Sequence, residues 1–296
     1  MIGCSMAAMI GRRGLLLGAG GLAAAGVATG AYGFGVEPFL RLHVQRHAIS
    51  PQGWPQGLSL RVAQLTDLHA GAPMMDEARI EHIVEATNAL RPDIVLLVGD
   101  FGASSPFVTR TLQQAEVARL LARLRARHGV YAVNGNHDWW EDAAALHRGG
   151  GSTIMGRAFE AAGIPMLCNS VLRAGPVLVG GLDSSWAFGW NRGAHDLPRL
   201  LDQVHGDAPL LLMAHEPDVF PTVPRRVAVT FSGHTHGGQV RVLGWSPRIP
   251  SRYGNRYAWG HVREDGRDLV VSGGLGITRL PVRFGVPPEI TLVEIG

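Results

Sequence analysis

The chain has 296 residues, 46% of them apolar, which is enough for one large core or two small ones, and carries a formal net charge of +3 with a pI near 9.3. It contains no lysine. This excludes the lysine phosphate cradle of a P-loop and Schiff-base chemistry, leaves arginine to meet any phosphate oxygens, and makes the basic balance a compositional bias rather than a sign of nucleic-acid binding. The two cysteines, Cys4 and Cys168, lie too far apart in sequence to suggest a disulfide framework or a thiolate metal site.

The first fifty residues differ from the rest. Arg12-Arg13 precedes an uncharged, weakly hydrophobic Gly/Ala/Leu run from Gly14 to Gly35, long enough to cross a bilayer as a helix. An arginine pair ahead of such a run resembles a twin-arginine export signal, cleaved near Ala23 to Ala31 or kept as an anchor, against the plainer reading of a Gly/Ala-rich helix or tail. Either membrane role keeps the arginines cytoplasmic and places the body of the chain on the outer face of the membrane. Residues 1–35 are thus expected to be a signal or anchor, 36–57 a Pro-containing linker, and 58–296 the folded domain.

Leu60 to Thr66 alternates as a strand and runs into Asp67-Leu68-His69; in extended chain, residues two apart share a side, so this carboxylate and imidazole can converge on one ion. Asp76 is a candidate N-cap for a helix with Ile80, Ile83, Val84 and Leu90 inward. Asp93 to Val98 is an unbroken apolar strand, which predicts cover on both faces, and it delivers Gly99-Asp100. Thr111 to Arg127 reads as a helix stopped by Gly129. The strand Gly129 to Val133 leads into Asn134-Gly135-Asn136-His137-Asp138, and the stretch from Trp139 to Ala162 as a helix broken at Gly149-Gly150-Gly151. Pro176 to Gly181 is a further strand, with Asp183 after it read as a turn carboxylate in preference to a residue that supports the metal ligands. Ala208 to Met213 ends at His215, and Val227 to Phe231 at Gly233-His234-Thr235-His236. Five strands in succession therefore end in ligand-type residues.

In that order, Asp67-Leu68-His69, Gly99-Asp100, Gly135-Asn136-His137-Asp138, His215 and Gly233-His234-Thr235-His236 resemble the five blocks of the calcineurin-like metallophosphoesterases. The run Val271 to Gly276 and Arg283 to Glu289 resembles the C-terminal part of a bacterial subfamily with a twin-arginine leader. The resemblance implies an α/β fold with four layers, α/β/β/α: two facing mixed sheets flanked by helices. It implies that Asp67, His69 and His236 hold one metal and Asn136, His215 and His234 a second, with Asp100 bridging. His137 would assist the leaving group and Asp138 orient its ring. Purple acid phosphatases place a tyrosine shortly after the Gly-Asp block; Phe101-Gly102-Ala103 stands here instead, which argues against a tyrosinate–iron centre.

Mixed oxygen and nitrogen donors suit a pair of divalent transition ions, manganese first, with iron or zinc as alternatives, and four imidazoles argue against a magnesium-only or calcium site. The expectation is a binuclear phosphodiesterase in which a metal-bridging hydroxide attacks phosphorus in line. One alternative is a UDP-2,3-diacylglucosamine pyrophosphatase of lipid A synthesis, and a more remote one a non-catalytic metal-binding envelope protein. The expected substrate is a phosphoester or phospholipid-linked small molecule, with membrane contact through the N-terminal segment and neither nucleic acid nor a partner protein. Arg192, Arg241, Arg248 and Arg252 lie in loops that could meet phosphate, whereas His82 and His147 read as surface or packing residues.

Overall fold

The computed structural model describes residues 12–190 and 192–296, the side chains of residues 12–19 and 22 excepted. Cys4 and the start of the expected leader lie outside the described residues. A helix, α1 (Arg12–Ala31), passes through a wider turn at Tyr32–Val36 into the short α2 (Glu37–Leu40). Among the described residues no helix is long and apolar enough to cross a membrane.

Two facing sheets form the body. The first takes the order β1 (His43–Ile49), β13 (Glu289–Ile295), β2 (Leu60–Leu65), β4 (Ile94–Val98) and β6 (Val130–Val133). The second runs β11 (Gly260–Glu264), β12 (Arg267–Val271), β10 (Val227–Ser232), β9 (Leu210–Ala214), β8 (Val177–Leu182) and β7 (Ser170–Ala174). A two-stranded ribbon, β3 (Gly71–Ala72) with β5 (Arg110–Thr111), lies apart from both. Both large sheets are mixed: β2, β4 and β6 are mutually parallel, as are β8, β9, β10 and β12, with antiparallel neighbours at β13, β7 and β11.

The apolar run of β4 shows why the sheets stack. Ile94, Leu96 and Val98 join Val62, Leu211, Met213, Val229 and Phe231 in the core between the sheets. The alternate residues Val95 and Leu97 face outward, onto Ile80 and Ile83 of α3 (Glu77–Ala89), Val117 and Leu121 of α4 (Gln114–Leu121), and Phe159 of α7 (Ile154–Ala161). A third cluster, including Leu200 of α8 (Leu197–Leu201), Phe220 and Tyr257, covers the far face of the second sheet. The order is thus helices, sheet, sheet, helices, as the resemblance implied, and Asp76 caps α3 by accepting from Arg79 N at 2.9 Å.

Several boundaries depart from the sequence reading. The expected linker contains β1, which pairs in parallel with β13 from His43 to Ile49. Four of its seven residues are polar and most positions are exposed or half-exposed, so the alternation that marks a strand is weak, and backbone pairing at a sheet edge does much of the ordering. The helix expected from Thr111 to Arg127 is shorter, because Arg110–Thr111 joins the ribbon and the chain turns tightly after Leu121 to deliver Leu124 to the core. The stretch to Ala162 folds as three short helices: α5 (Asn136–Trp140), α6 (Ala143–Arg148) capped by Asp142 and closed by left-handed Gly149, and α7 capped by Thr153. β7, not anticipated, forms a hairpin with β8 through Gly175.

Candidate metal centre

All seven expected ligands follow the carboxyl ends of strands. Asp67 and His69 come after β2, Asp100 after β4, Asn136 after β6, His215 after β9, and His234 and His236 after β10. Side chains from two sheets therefore meet over one end of the sandwich. Asp67, His69 and His236 form one buried group whose ligand atoms all lie within 4.8 Å of one another, and Asp100, His215 and His234 form a second. Asp100 Oδ2 is 3.1 Å from His215 Nε2 and 3.8 Å from His69 Nε2, so it stands between the groups as a bridging carboxylate would.

The backbone achieves this convergence differently from an extended strand. Asp67, His69, Asp100, His234 and His236 all have positive φ, between 47° and 67°. The pairs two residues apart share a target because the chain winds through left-handed turns, a conformation that costs non-glycine residues roughly 1–3 kcal/mol each. The strain is held by hydrogen bonds between loops. Asp67 N donates to Gly99 O at 3.0 Å and His69 N to Asp100 O at 3.1 Å. His234 N lies 3.1 Å from both Asp67 oxygens. Glycine is required where these loops press together, since a Cβ on Gly135 would lie 2.2 Å from Asp100 Oδ1 and one on Gly233 2.4 Å from Asp67 Oδ2.

The donor set fits metal ions. His215 Nδ1 is 2.6 Å from Val98 O, and His69 Nδ1 is 3.1 Å from Gly102 O, so a proton on each Nδ1 leaves the Nε2 lone pair directed into the centre. Asn136 Oδ1, His215 Nε2 and His234 Nε2 are buried without a hydrogen-bond partner. Lone pairs so placed want a partner, which native interiors supply from protein, ordered water or a bound cation. His69 Nε2 and His236 Nε2 face each other at 3.2 Å, and His236 Nε2 lies 3.3 Å from Asp67 Oδ1.

The electrostatics agree. Burial pushes His69 and His234 down to about 3, so both imidazoles are neutral, as ligation demands. Burial would raise Asp67 and Asp100, but the surrounding imidazoles hold both carboxylates below their ordinary range. Burial likewise opposes charge on His215, yet Asp100 and Asp67 hold its imidazole well above the usual value, the same pull these carboxylates would exert on a cation.

His137 stands over the clusters, half-buried, its ring edge-on to His69 at 5.1 Å and to Trp140 at 5.0 Å between centroids. Its backbone N donates to Asp100 Oδ1 at 2.8 Å. The expected role of Asp138 is corrected here. Its Oδ2 accepts from Gly135 N at 2.7 Å and Asp100 N at 2.9 Å, and its Oδ1 from Phe101 N at 3.0 Å. The carboxylate braces the loops that carry Asp100 and Asn136 and does not orient the His137 ring; the acid nearest that ring is Glu141, 4.0 Å from Nδ1.

Asp183, read as a turn carboxylate, is buried and accepts from Trp139 Nε1 at 2.8 Å and Asn134 Nδ2 at 3.2 Å, fixing the start of α5. Three supporting residues were not anticipated. Glu216, next to His215, accepts from Ser184 Oγ at 2.6 Å and Ser185 N at 2.8 Å. Arg283, wholly buried, reaches Val286 O at 2.9 Å and lies 3.4 Å from His236 Nδ1. Trp186 packs edge-on against His234 at 4.5 Å between centroids. Adjacency to a ligand could have flagged Glu216, but nothing local marks the other two.

Above the clusters opens a cleft of about 850 Å³, lined by Trp140, Trp186, Trp190, Val240, Ile249 and Leu280, with Arg248 and Arg279 among them. Of the four loop arginines considered, Arg248 lines it; Arg241 sits near Trp259 and Arg252 pairs with Asp218 at 3.5 Å. His82 and His147 are exposed, as expected.

A cleft over two Asp/His clusters at the ends of facing sheets is the arrangement of a metal-dependent phosphoesterase. The calcineurin-like phosphoesterase profile matches residues 60–238, and the chain belongs to that family. It is 30% identical over 294 residues to the uncharacterized metallophosphoesterase YkuE of Bacillus subtilis, covering 96% of this chain and 97% of the relative. It is 27% identical over 276 residues to an uncharacterized metallophosphoesterase of Aquifex aeolicus, covering 91% and 97%. A Danio rerio transmembrane protein with metallophosphoesterase domain is 28% identical over 257 residues, 81% of this chain and 54% of that protein. The chain is thus a phosphoesterase hydrolase.

Proposed function

We propose that the chain is a binuclear metal-dependent phosphodiesterase. The observation that carries this reading is the set of buried, partnerless donors, Asn136 Oδ1, His215 Nε2 and His234 Nε2, beside the shared carboxylate of Asp100. Asp67, His69 and His236 would hold one ion and Asn136, His215 and His234 the other, with Asp100 between them. When bound, two divalent transition ions, manganese before iron or zinc, supply Lewis acidity toward phosphate oxygens and acidify the attacking water. His137 supplies a proton at the leaving oxygen, and its ring is steadied by His69 and Trp140 rather than by Asp138. Arg248 and Arg279 meet the remaining phosphate oxygens at the cleft wall.

The substrate is a phosphoester or lipid-linked small molecule rather than nucleic acid. The N-terminal segment acts as a twin-arginine-type leader or anchor and sets the domain at the outer side of the inner membrane; the word transmembrane in the Danio rerio relative's name accords with membrane attachment. A second reading, a UDP-2,3-diacylglucosamine pyrophosphatase, is favoured by the cleft itself, whose indole and aliphatic walls beside two arginines suit an amphiphile.

Hydrolysis by the metal-stripped full chain, reloaded with manganese, tests both readings on bis(p-nitrophenyl) phosphate, p-nitrophenyl phosphate and UDP-2,3-diacylglucosamine. Preference for the simple diester supports the first reading and preference for the lipid nucleotide the second. Metal binding without turnover of any of the three sinks both.

A further inference from the structure

Beyond Gln239 the chain leaves the floor of the cleft and makes a two-residue hairpin. Val242 N donates to Trp245 O at 2.9 Å and Trp245 N to Val242 O at 3.0 Å. Leu243 and Gly244 form its tip, with φ of 50° and 80°. Two successive left-handed residues make the primed turn that matches hairpin twist, and Asn-Gly or Asp-Gly is the pair it favours. Leucine resists this conformation, and this leucine is also fully exposed. It is unfavourable twice over, in backbone and in hydration, unless something outside the chain takes its side chain out of water.

The surroundings indicate what does so. Val242 is 53% exposed, Trp245 59%, and Leu280, whose carbonyl accepts from Gln239 Nε2 at 3.2 Å beside the hairpin, 54%. Val240 and Pro247, on either side of the hairpin, line the cleft, as do Arg248, Arg279 and Leu280. The base of the hairpin is tied to the segment that seats the N-terminal region. Arg241 N donates to Phe284 O at 2.7 Å, while Arg283 N donates to Gly33 O at 2.9 Å. Glu37 accepts from Gly285 N at 3.1 Å and Val286 N at 2.8 Å. Phe34 and Val36, between those anchor points, are exposed as well. No acidic residue occurs from Gln239 to Arg263 or from Gly273 to Pro288, and both segments carry arginines.

Aliphatic tips, an indole and guanidinium groups around one cleft mouth match an anionic lipid headgroup layer. Leucine and valine reach the acyl boundary, tryptophan sits at the interface, and arginine meets phosphate. We propose that the Val242–Trp245 hairpin inserts into the headgroup layer of an anionic bilayer and holds the mouth of the cleft against it, as a contact separate from the N-terminal segment.

The test is co-flotation of the full chain with phosphatidylcholine vesicles containing phosphatidylglycerol as the minor component. Leu243→Asn should weaken binding about tenfold, and Leu243→Asn with Trp245→Ser roughly a hundredfold. Because asparagine suits the turn, Leu243→Asn should melt at or above the wild-type temperature, which separates lost insertion from lost folding. Unchanged vesicle binding in both variants overturns the proposal. So does loss of self-association in the double variant by sedimentation equilibrium without vesicles, which assigns the hairpin to contact between copies. The readout is binding, so a protein that hydrolyses none of the phosphoesters leaves this proposal standing.

Discussion

The floor and the mouth of the cleft are built on opposite terms. On the floor every ligand is buried, five of the seven sit on left-handed backbone, and neighbouring loops brace them through Asp138, Glu216 and Arg283. At the mouth, Trp190, Val242, Leu243, Trp245 and Leu280 stand largely in solvent. The floor spends stability to fix donors arranged as an ion would need them. The mouth leaves apolar surface uncovered.

The largest effect should come from the carboxylate both clusters share. Asp100→Ala should lower kcat by about a thousandfold, some 4 kcal/mol of transition-state stabilisation, and reduce bound metal measured by atomic emission. His137→Ala separates ligation from catalysis on the same floor. Turnover should fall by about 10²–10⁴, most for poor leaving groups, with metal content unchanged; loss of metal instead would make His137 a ligand. Chelation should remove the ion's linkage stabilisation, about 2.7 kcal/mol at a hundredfold excess over Kd, and lower the thermal midpoint by roughly 5–10 °C. The smallest effect tests the mouth: Trp190→Ala should raise KM about fivefold for a substrate bearing an apolar group and leave kcat unaltered. A kcat loss there would erase the division between the two regions.

The floor was legible in the sequence because ion binding demands particular residue types at strand ends. Asp67, His69, Asp100, His215, His234 and His236 draw together into the two clusters, and Asn136 follows the end of β6. The reason given for the first pairing was incomplete, since Asp67 with His69, like His234 with His236, converges through left-handed turns and not along an extended strand. Asp138 was read as a partner of the side chain next to it, whereas its oxygens reach amides across the loop at Asp100 and Phe101. Side chain to backbone bonds of that kind leave no spacing in a sequence. Nor does the mouth, whose tryptophans and arginines come from separate loops without periodicity, and β1, a polar edge strand, hides for a related reason.

The left-handed ligands also bear on how such a site would be lost over generations. Replacing Asp67 or Asp100 by alanine deletes the donor and keeps the backbone penalty, whereas glycine deletes the donor and relieves about 1 kcal/mol of it. Lineages drifting away from catalysis while keeping the sandwich should therefore accumulate glycine at these positions ahead of other residues. A relative carrying glycine there would be a folded descendant that has given up its ions, not a damaged chain.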